Sequence, residues 1–413
     1  MDTALESEID ENNFPIAVGS QAKGYTVDGK EPAGAYPADG RPAWAEIRLG
    51  AFAHNLRVLR QATQPQARLM AVIKADGYGH GAVALAREAL RQGVDRFVVA
   101  LLDEALKLRD AGITQPILIL GYTPPSACYR VVAEDLSQSV YCRTVAEALS
   151  AAAVRLGRTA RIHLKVETGM GRVGFQGDEG VREMLAIARL PGISVEGVFS
   201  HFATADEPDK SFAREQLERF LTITGRLQQA GLEIPMRHMA NSAAILDLPE
   251  SHLEGVRPGI ALYGSSPFDG VRRDGASLEP VMTLKARIVF IKEVAAGTPI
   301  SYGCTYRCPR RTRIATLPLG YADGIRRTLS GRIGAYKGDR YFPQVGRICM
   351  DQFMIDIGDA ELAEGDEVTL FGRWQEGGAW RTAPVEDWAR ADGTISYEIL
   401  SVLSPRVPRH YVP

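Results

Sequence analysis

Residues 69–81 read LMAVIKADGYGHG, and Lys74 is the chemically loudest side chain among them. A short apolar run stops at this lysine and is followed by glycines, which reads as a strand buried on both faces that opens into a strand-to-helix turn. An ammonium at the end of such a strand does not serve the core. Held there and partly desolvated, its amine can add to a carbonyl and form a Schiff base. A lone lysine after a strand is more often a surface residue, so the weight rests on its company. Lys165, His201 and His238 also fall at or near the C-terminal ends of strand candidates, and Arg257 lies in the eighth. Shared register of this kind is hard to explain as loop polarity.

The elements that must hold these groups follow from the patterning. From residue 69 to about 264 the chain alternates strand and helix signals. Strand candidates lie at 69–74, 96–101, 116–120, 139–142, 162–167, 195–201, 236–240 and 256–263. Such alternation implies a parallel sheet. About eight repeats fit an α/β fold of (β/α)8 type, whose sites are built at the C-terminal ends of the strands. A doubly wound open sheet is the alternative, because a run such as 139–142 is short. After about residue 276 the runs VMTLKARIVFIKEV, RIATLPLGYADG and RYFPQVGRICMDQFMIDIG are β-rich and broken by Gly, Pro and Asp. The expected organisation is an N-terminal extension over 1–42 lacking regular structure, a barrel over 43–275 and an all-β domain over 276–413, with a short helix near 385–390.

Composition narrows the function classes. The chain has 413 residues, 45% hydrophobic and 24% charged, with a net charge of -2. That is ordinary for a globular protein and gives no footprint for nucleic acid or an anionic membrane. No apolar run is long enough to span a bilayer, and MDTALESEIDENNF has no secretory h-region. The five cysteines are scattered, which suggests free thiols in a reducing compartment, the cytoplasm. Cys304 and Cys308 look like half of a metal site, but no second pair accompanies them, so no metal is expected.

The stretches AWAEIRLGAFAHNL, AVIKADGYGHG, HLKVETGMGRVG, SHFATAD, HMANSAA, VRPGIALYG, ISYGCTY, LPLGYADG, VGRICMD and TISYEILSVLSPRVPR occur in the family's order and run from residue 43 to 409. Together they make the chain resemble the alanine racemases, pyridoxal-phosphate enzymes of fold type III. The resemblance implies a barrel, a C-terminal β domain, and a homodimer whose sites take groups from both subunits. It implies interconversion of L- and D-alanine, which points to D-alanine for peptidoglycan or to D-alanine breakdown.

Residue by residue, the resemblance assigns Lys74 as the Schiff-base lysine and one α-proton base, and Tyr302 as the opposing base from the second subunit. Tyr78 and Tyr397 match tyrosines that contact the cofactor phosphate, with Ser242, Gly259 and Ile260 beside them. Gly259 and Ile260 are expected within the eighth strand. Arg257 matches the arginine placed against the pyridine nitrogen. A guanidinium does not readily give up its proton, so the ring is a weaker electron sink and reprotonation at the α-carbon is favoured. His201 and His238 would orient Arg257 and the second base. Arg172 and Met350 match groups at the substrate carboxylate. Lys165 matches a lysine that is carbamylated in many members. Asp351 would support the carboxylate-end loop, and Tyr321 matches a tyrosine at the entrance.

The chain departs from the family pattern at Asp76-Gly77, where Asn-Ala is usual, at Glu167, where Asp is common, and at Cys304, where Arg is frequent. Cys304 leaves a broader racemase, acting on serine for example, as an alternative. A pyridoxal-phosphate decarboxylase shares the two-domain plan, but Arg257 argues against it because decarboxylation needs a strong sink. A cofactor carrier built on the barrel alone would lack residues 276–413.

Overall fold

The computed structural model describes residues 40–268 and 277–413. Strand β1 (Ala43–Arg48) is followed by the helix Leu49–Ala62. Then come β2 (Arg68–Val72), β3 (Arg96–Val99), β4 (Ile117–Ile119), β5 (Ser137–Val140), β6 (Ala160–Lys165), β7 (Ile193–Phe199), β8 (Arg237–His238) and β9 (Gly255–Val256). These eight pair in parallel in chain order, and β9 closes on β2 through Leu69 opposite Val256. The closed barrel decides between the two architectures that the alternation allowed. The helices between strands are amphipathic. Ala82–Arg91, for example, buries Ala82, Leu85, Ala86 and Ala89, a spacing of one helical face.

The run at 256–263 behaves differently from expectation. The strand ends at Val256, and Ile260–Tyr263 form a 3-10 helix. Pro258 removes a ladder donor, and a short buried apolar run such as IALY fits either period. Gly259 and Ile260 therefore stand on the barrel rim after the strand and not within it.

Strand β1, counted above with the barrel segment, belongs to the other sheet. It pairs antiparallel with β10 (Met282–Arg287) and parallel with Arg409–Val412. Its alternating Ala43, Ala45 and Ile47 are buried in the common core. Its partners lie far along the chain, so no local pattern reveals the pairing. The sheet runs Phe290–Val294, Thr312–Leu317, Phe353–Gly358, Arg340–Val345, Gly334–Lys337, Glu367–Glu376, β10, β1, Arg409–Val412. The helix Ser396–Ser401 leaves this domain and packs on the turn that carries Lys74. Most of the expected extension, and the expected boundary between 275 and 276, lie outside the described residues. Among the described residues, no helix is long and apolar enough to cross a membrane. Among them, too, no group of three or more His, Cys, Asp or Glu could hold a metal ion.

Candidate active site

Lys74 opens a left-handed turn two residues beyond β2. Ala75, Asp76, Gly77 and Tyr78 have φ of 51°, 51°, 65° and 50°. Non-glycine residues there are strained by about 1–3 kcal/mol each and persist only where surroundings hold them. Glu104 Oε1 accepts from the Ala75 N–H at 2.5 Å. Asp76 accepts from the Ala82 N–H at 3.2 Å and pairs with Lys107 at 2.7 Å. Asp76 thus tolerates the left-handed backbone and gains an ion pair that an Asn would lack. Gly79 has φ +79°, and a Cβ there would lie 2.3 Å from the Leu400 carbonyl oxygen. The helix of the β domain is therefore clamped against the lysine turn.

A cavity of about 530 Å³ opens at this rim, lined by Lys74, Tyr78, His201, Ser242, Arg257, Gly259, Ile260 and Tyr397. Asn241, Thr394 and Glu398 also line it and were not anticipated. Asn241 caps the helix Ser242–Asp247 through Ala244 N–H at 3.0 Å, and an Asn before an apolar helix is a cap signal readable in sequence. Two larger clefts lie elsewhere, of about 700 Å³ beside Tyr321 and Arg327 and about 600 Å³ beside Gly169 and Arg219. Neither contains the lysine turn, and chemistry rather than size selects the smaller cavity.

One end of the cavity gathers a hydroxyl, two phenols and a glycine. Ser242 Oγ accepts from the Gly259 N–H at 2.9 Å and the Ala261 N–H at 3.3 Å. A Cβ on Gly259 would sit 3.0 Å from the Tyr78 hydroxyl, so glycine leaves the space open. The rings of Tyr78 and Tyr397 lie 6.1 Å apart. Burial pushes both phenols up, so they remain protonated and able to donate.

The other end is cationic. Arg257 is 3% exposed. Its Nη1 donates to the His238 carbonyl at 3.0 Å and lies 2.6 Å from His238 Nδ1. Its Nη2 donates to the Ser200 carbonyl at 2.8 Å and lies 3.1 Å from His201 Nδ1. Burial, then the Arg257 charge, hold both imidazoles well below their ordinary range, so they are neutral. Burial and then Arg172 lower the Lys74 amine, partly countered by Glu104. Lys165 is brought to about 7, by burial first and Arg257 second, and it donates to the Val166 carbonyl at 2.7 Å. Glu167 shapes the Arg172 loop, accepting from Gly169 N–H at 2.5 Å and Arg172 N–H at 3.1 Å.

Tyr302, Tyr321 and Met350 are not among the residues lining this cavity. They are 66%, 43% and 52% exposed, on the β domain. The Tyr321 and Ala322 N–H groups donate to the Cys349 and Met350 carbonyls, both at 3.0 Å, which ties their two loops together. Asp351 pairs with Arg406 at 2.7 Å.

Residues 47–267 match the family model described as alanine racemase, N-terminal domain, and residues 281–411 match that for the C-terminal domain. The chain belongs to the alanine racemase family. It is 48% identical to an alanine racemase of Desulforamulus reducens over 90% of this chain and 99% of that one. It is 43% identical to one of Methanococcus maripaludis over the same shares. Among solved structures, the Clostridium difficile 630 alanine racemase superposes with a TM-score of 0.85 at 41% identity, covering 90% of this chain and 96% of that chain. A Bacillus anthracis alanine racemase with bound L-Ala-P gives 0.85 at 36%, covering 92% and 96%. Alanine racemases are isomerases that depend on pyridoxal phosphate. The residues here fit that group on chemical grounds. A partly buried amine, an open glycine cradle with protonated phenols for a phosphate, and a buried cation all face one cavity.

Proposed function

We propose that this chain interconverts L- and D-alanine, with pyridoxal phosphate held at Lys74 and each site completed by a second subunit. The observation that carries the reading is the cavity itself, where Lys74, Arg257 and the Ser242–Gly259 cradle converge. Ser242, Gly259, Ile260, Tyr78 and Tyr397 would hold the phosphate, and the Lys74 amine would hold the aldehyde end. Bound pyridoxal phosphate supplies an aldehyde for the substrate amine and a ring that draws electrons from the α-carbon. Arg257, a donor that keeps its proton, would sit against the ring nitrogen. That limits the sink and favours return of a proton to the α-carbon.

Inversion needs proton removal on one face and delivery on the other. Lys74, its amine lowered by burial and Arg172, serves one face. The partner's Tyr302 serves the other, and His201 beside Arg257 helps to orient it. Arg172, which Lys165 would hold by charge once carbamylated, and the backbone of the partner's Met350 hold the carboxylate. Asp351, through Arg406, supports the Met350 loop, and Tyr321 narrows the entrance. The exposure of Tyr302, Tyr321 and Met350 is what a partner surface would cover.

The test is D-amino acid formation from a panel of L-amino acids with added cofactor. Alanine should give the highest kcat/KM, and Lys74→Ala should abolish turnover. Faster turnover of serine than alanine, or no D-alanine at all, would refute the reading.

A further inference from the structure

Beneath Arg257, two imidazoles and a carboxylate form a line through the barrel interior. His238 Nε2 lies 2.8 Å from His163 Nδ1, and His163 Nε2 lies 3.5 Å from Glu196 Oε2. That oxygen also accepts from Arg96 Nη1 at 2.8 Å and from Ser137 Oγ at 2.7 Å. Arg96 Nη1 is 3.3 Å from His163 Nε2, so the two nitrogens share one acceptor. Both imidazoles are fully buried. Arg96 and Ser137 begin their strands, so the carboxylate end of the line is at the face of the barrel opposite the cavity. The line is closely fitted. Phe199 stacks on His238 with centroids 4.9 Å apart, and a Cβ on Gly197 would lie 2.6 Å from His163 Nδ1.

The proton positions follow from donor arithmetic. A guanidinium only donates, so His238 Nδ1 must accept from Arg257. A neutral His238 then carries its proton on Nε2 and donates to His163 Nδ1. His163 in turn carries its proton on Nε2, directed at a carboxylate that only accepts. Every bond runs from the cavity towards Glu196. We propose that His163 and Glu196 are positioning residues for Arg257. They fix His238 as the Nε2–H tautomer and so keep the guanidinium seated where it faces the cavity. The consequence for turnover rests on the reading of Arg257 as the partner of the ring nitrogen; the tautomers do not.

The test uses the holoenzyme labelled with [15N]histidine. Two-bond 1H–15N correlation at neutral pH should show His163 and His238 as neutral Nε2–H rings. His163→Asn keeps an acceptor near the Nδ1 position, and His163→Leu removes it. We expect His163→Leu to lower kcat for alanine about tenfold with KM changed less than about twofold. It should also shift the absorbance of the bound cofactor, while His163→Asn restores most of both. In Glu196→Gln the acceptor loses its charge, so the His163 Nε2–H should keep its place while its proton resonance moves upfield and kcat falls several-fold. An Nδ1–H ring or an imidazolium at either position in the unmodified enzyme would overturn the proposal. So would equal losses in the Leu and Asn variants, or an unchanged His163 proton resonance and unchanged kcat in Glu196→Gln. If His163→Leu does not fold, the unmodified enzyme and Glu196→Gln decide. Correct tautomers in an enzyme that makes no D-alanine would refute the function and leave the network standing.

Discussion

Lys165 shows how a single buried charge couples the site to stability. It is 3% exposed, and burial with Arg257 brings it to about 7. An unfolded lysine ionises near pH 10.4. Between about 7 and about 10.4 the unfolded chain binds more protons than the folded one, so stability rises with pH across that window. The penalty is complete below the folded value and fades above it. Lys165→Met in CO2-free buffer should therefore stabilise the fold by roughly 2–4 kcal/mol at pH 6. The gain should shrink towards pH 10, as read from denaturant midpoints. The same lowered value leaves neutral amine at neutral pH, the form that takes up CO2. With 13C-bicarbonate we expect a carbamate resonance in the native enzyme that is absent from Lys165→Met. Both lysines and Arg257 were legible because charge at the end of an apolar strand stands out. His163 and Glu196 were not, because polar residues inside short strands look like an ordinary solvent face until the barrel closes around them.

The left-handed turn after β2 is held by contacts from two directions, and its failure should be local. Gly79→Ala puts a Cβ against the Leu400 carbonyl at a positive φ. We expect a loss of about 1–3 kcal/mol, with weaker cofactor retention on dialysis than a destabilised control elsewhere. Glu104→Gln keeps the shape but weakens the charged acceptor of the Ala75 N–H. Activity should fall several-fold with the melting temperature within a few degrees of the parent. Retained activity in both variants would show that the turn does not position Lys74. The succession of strands and helices was readable from alternation, but the order of a closed barrel was not, since a doubly wound sheet shares that alternation. The helix Ser396–Ser401 was not, although it brings Tyr397 to the cavity, since six residues carry too little periodicity. Nor was the pairing of β1, since register across distant strands is decided by the assembled core.

The assembly as a dimer has its own test. In a mixture of Lys74→Ala and Tyr302→Phe subunits, a mixed dimer would hold one site with both residues intact. Random exchange makes about half of the dimers mixed, so about a quarter of native activity should return. No recovery after verified exchange would mean that Tyr302 acts within its own subunit or not at all. The proposed division into a barrel and a β domain fits this plan. One part holds the cofactor, and the other offers an exposed tyrosine to its neighbour.

Reduction of the cofactor-loaded enzyme with borohydride, followed by peptide mapping, bears on all of this most directly. A pyridoxyl group on Lys74 is the predicted result. The same group on a different lysine, or none in an enzyme that still forms D-alanine, would contradict it.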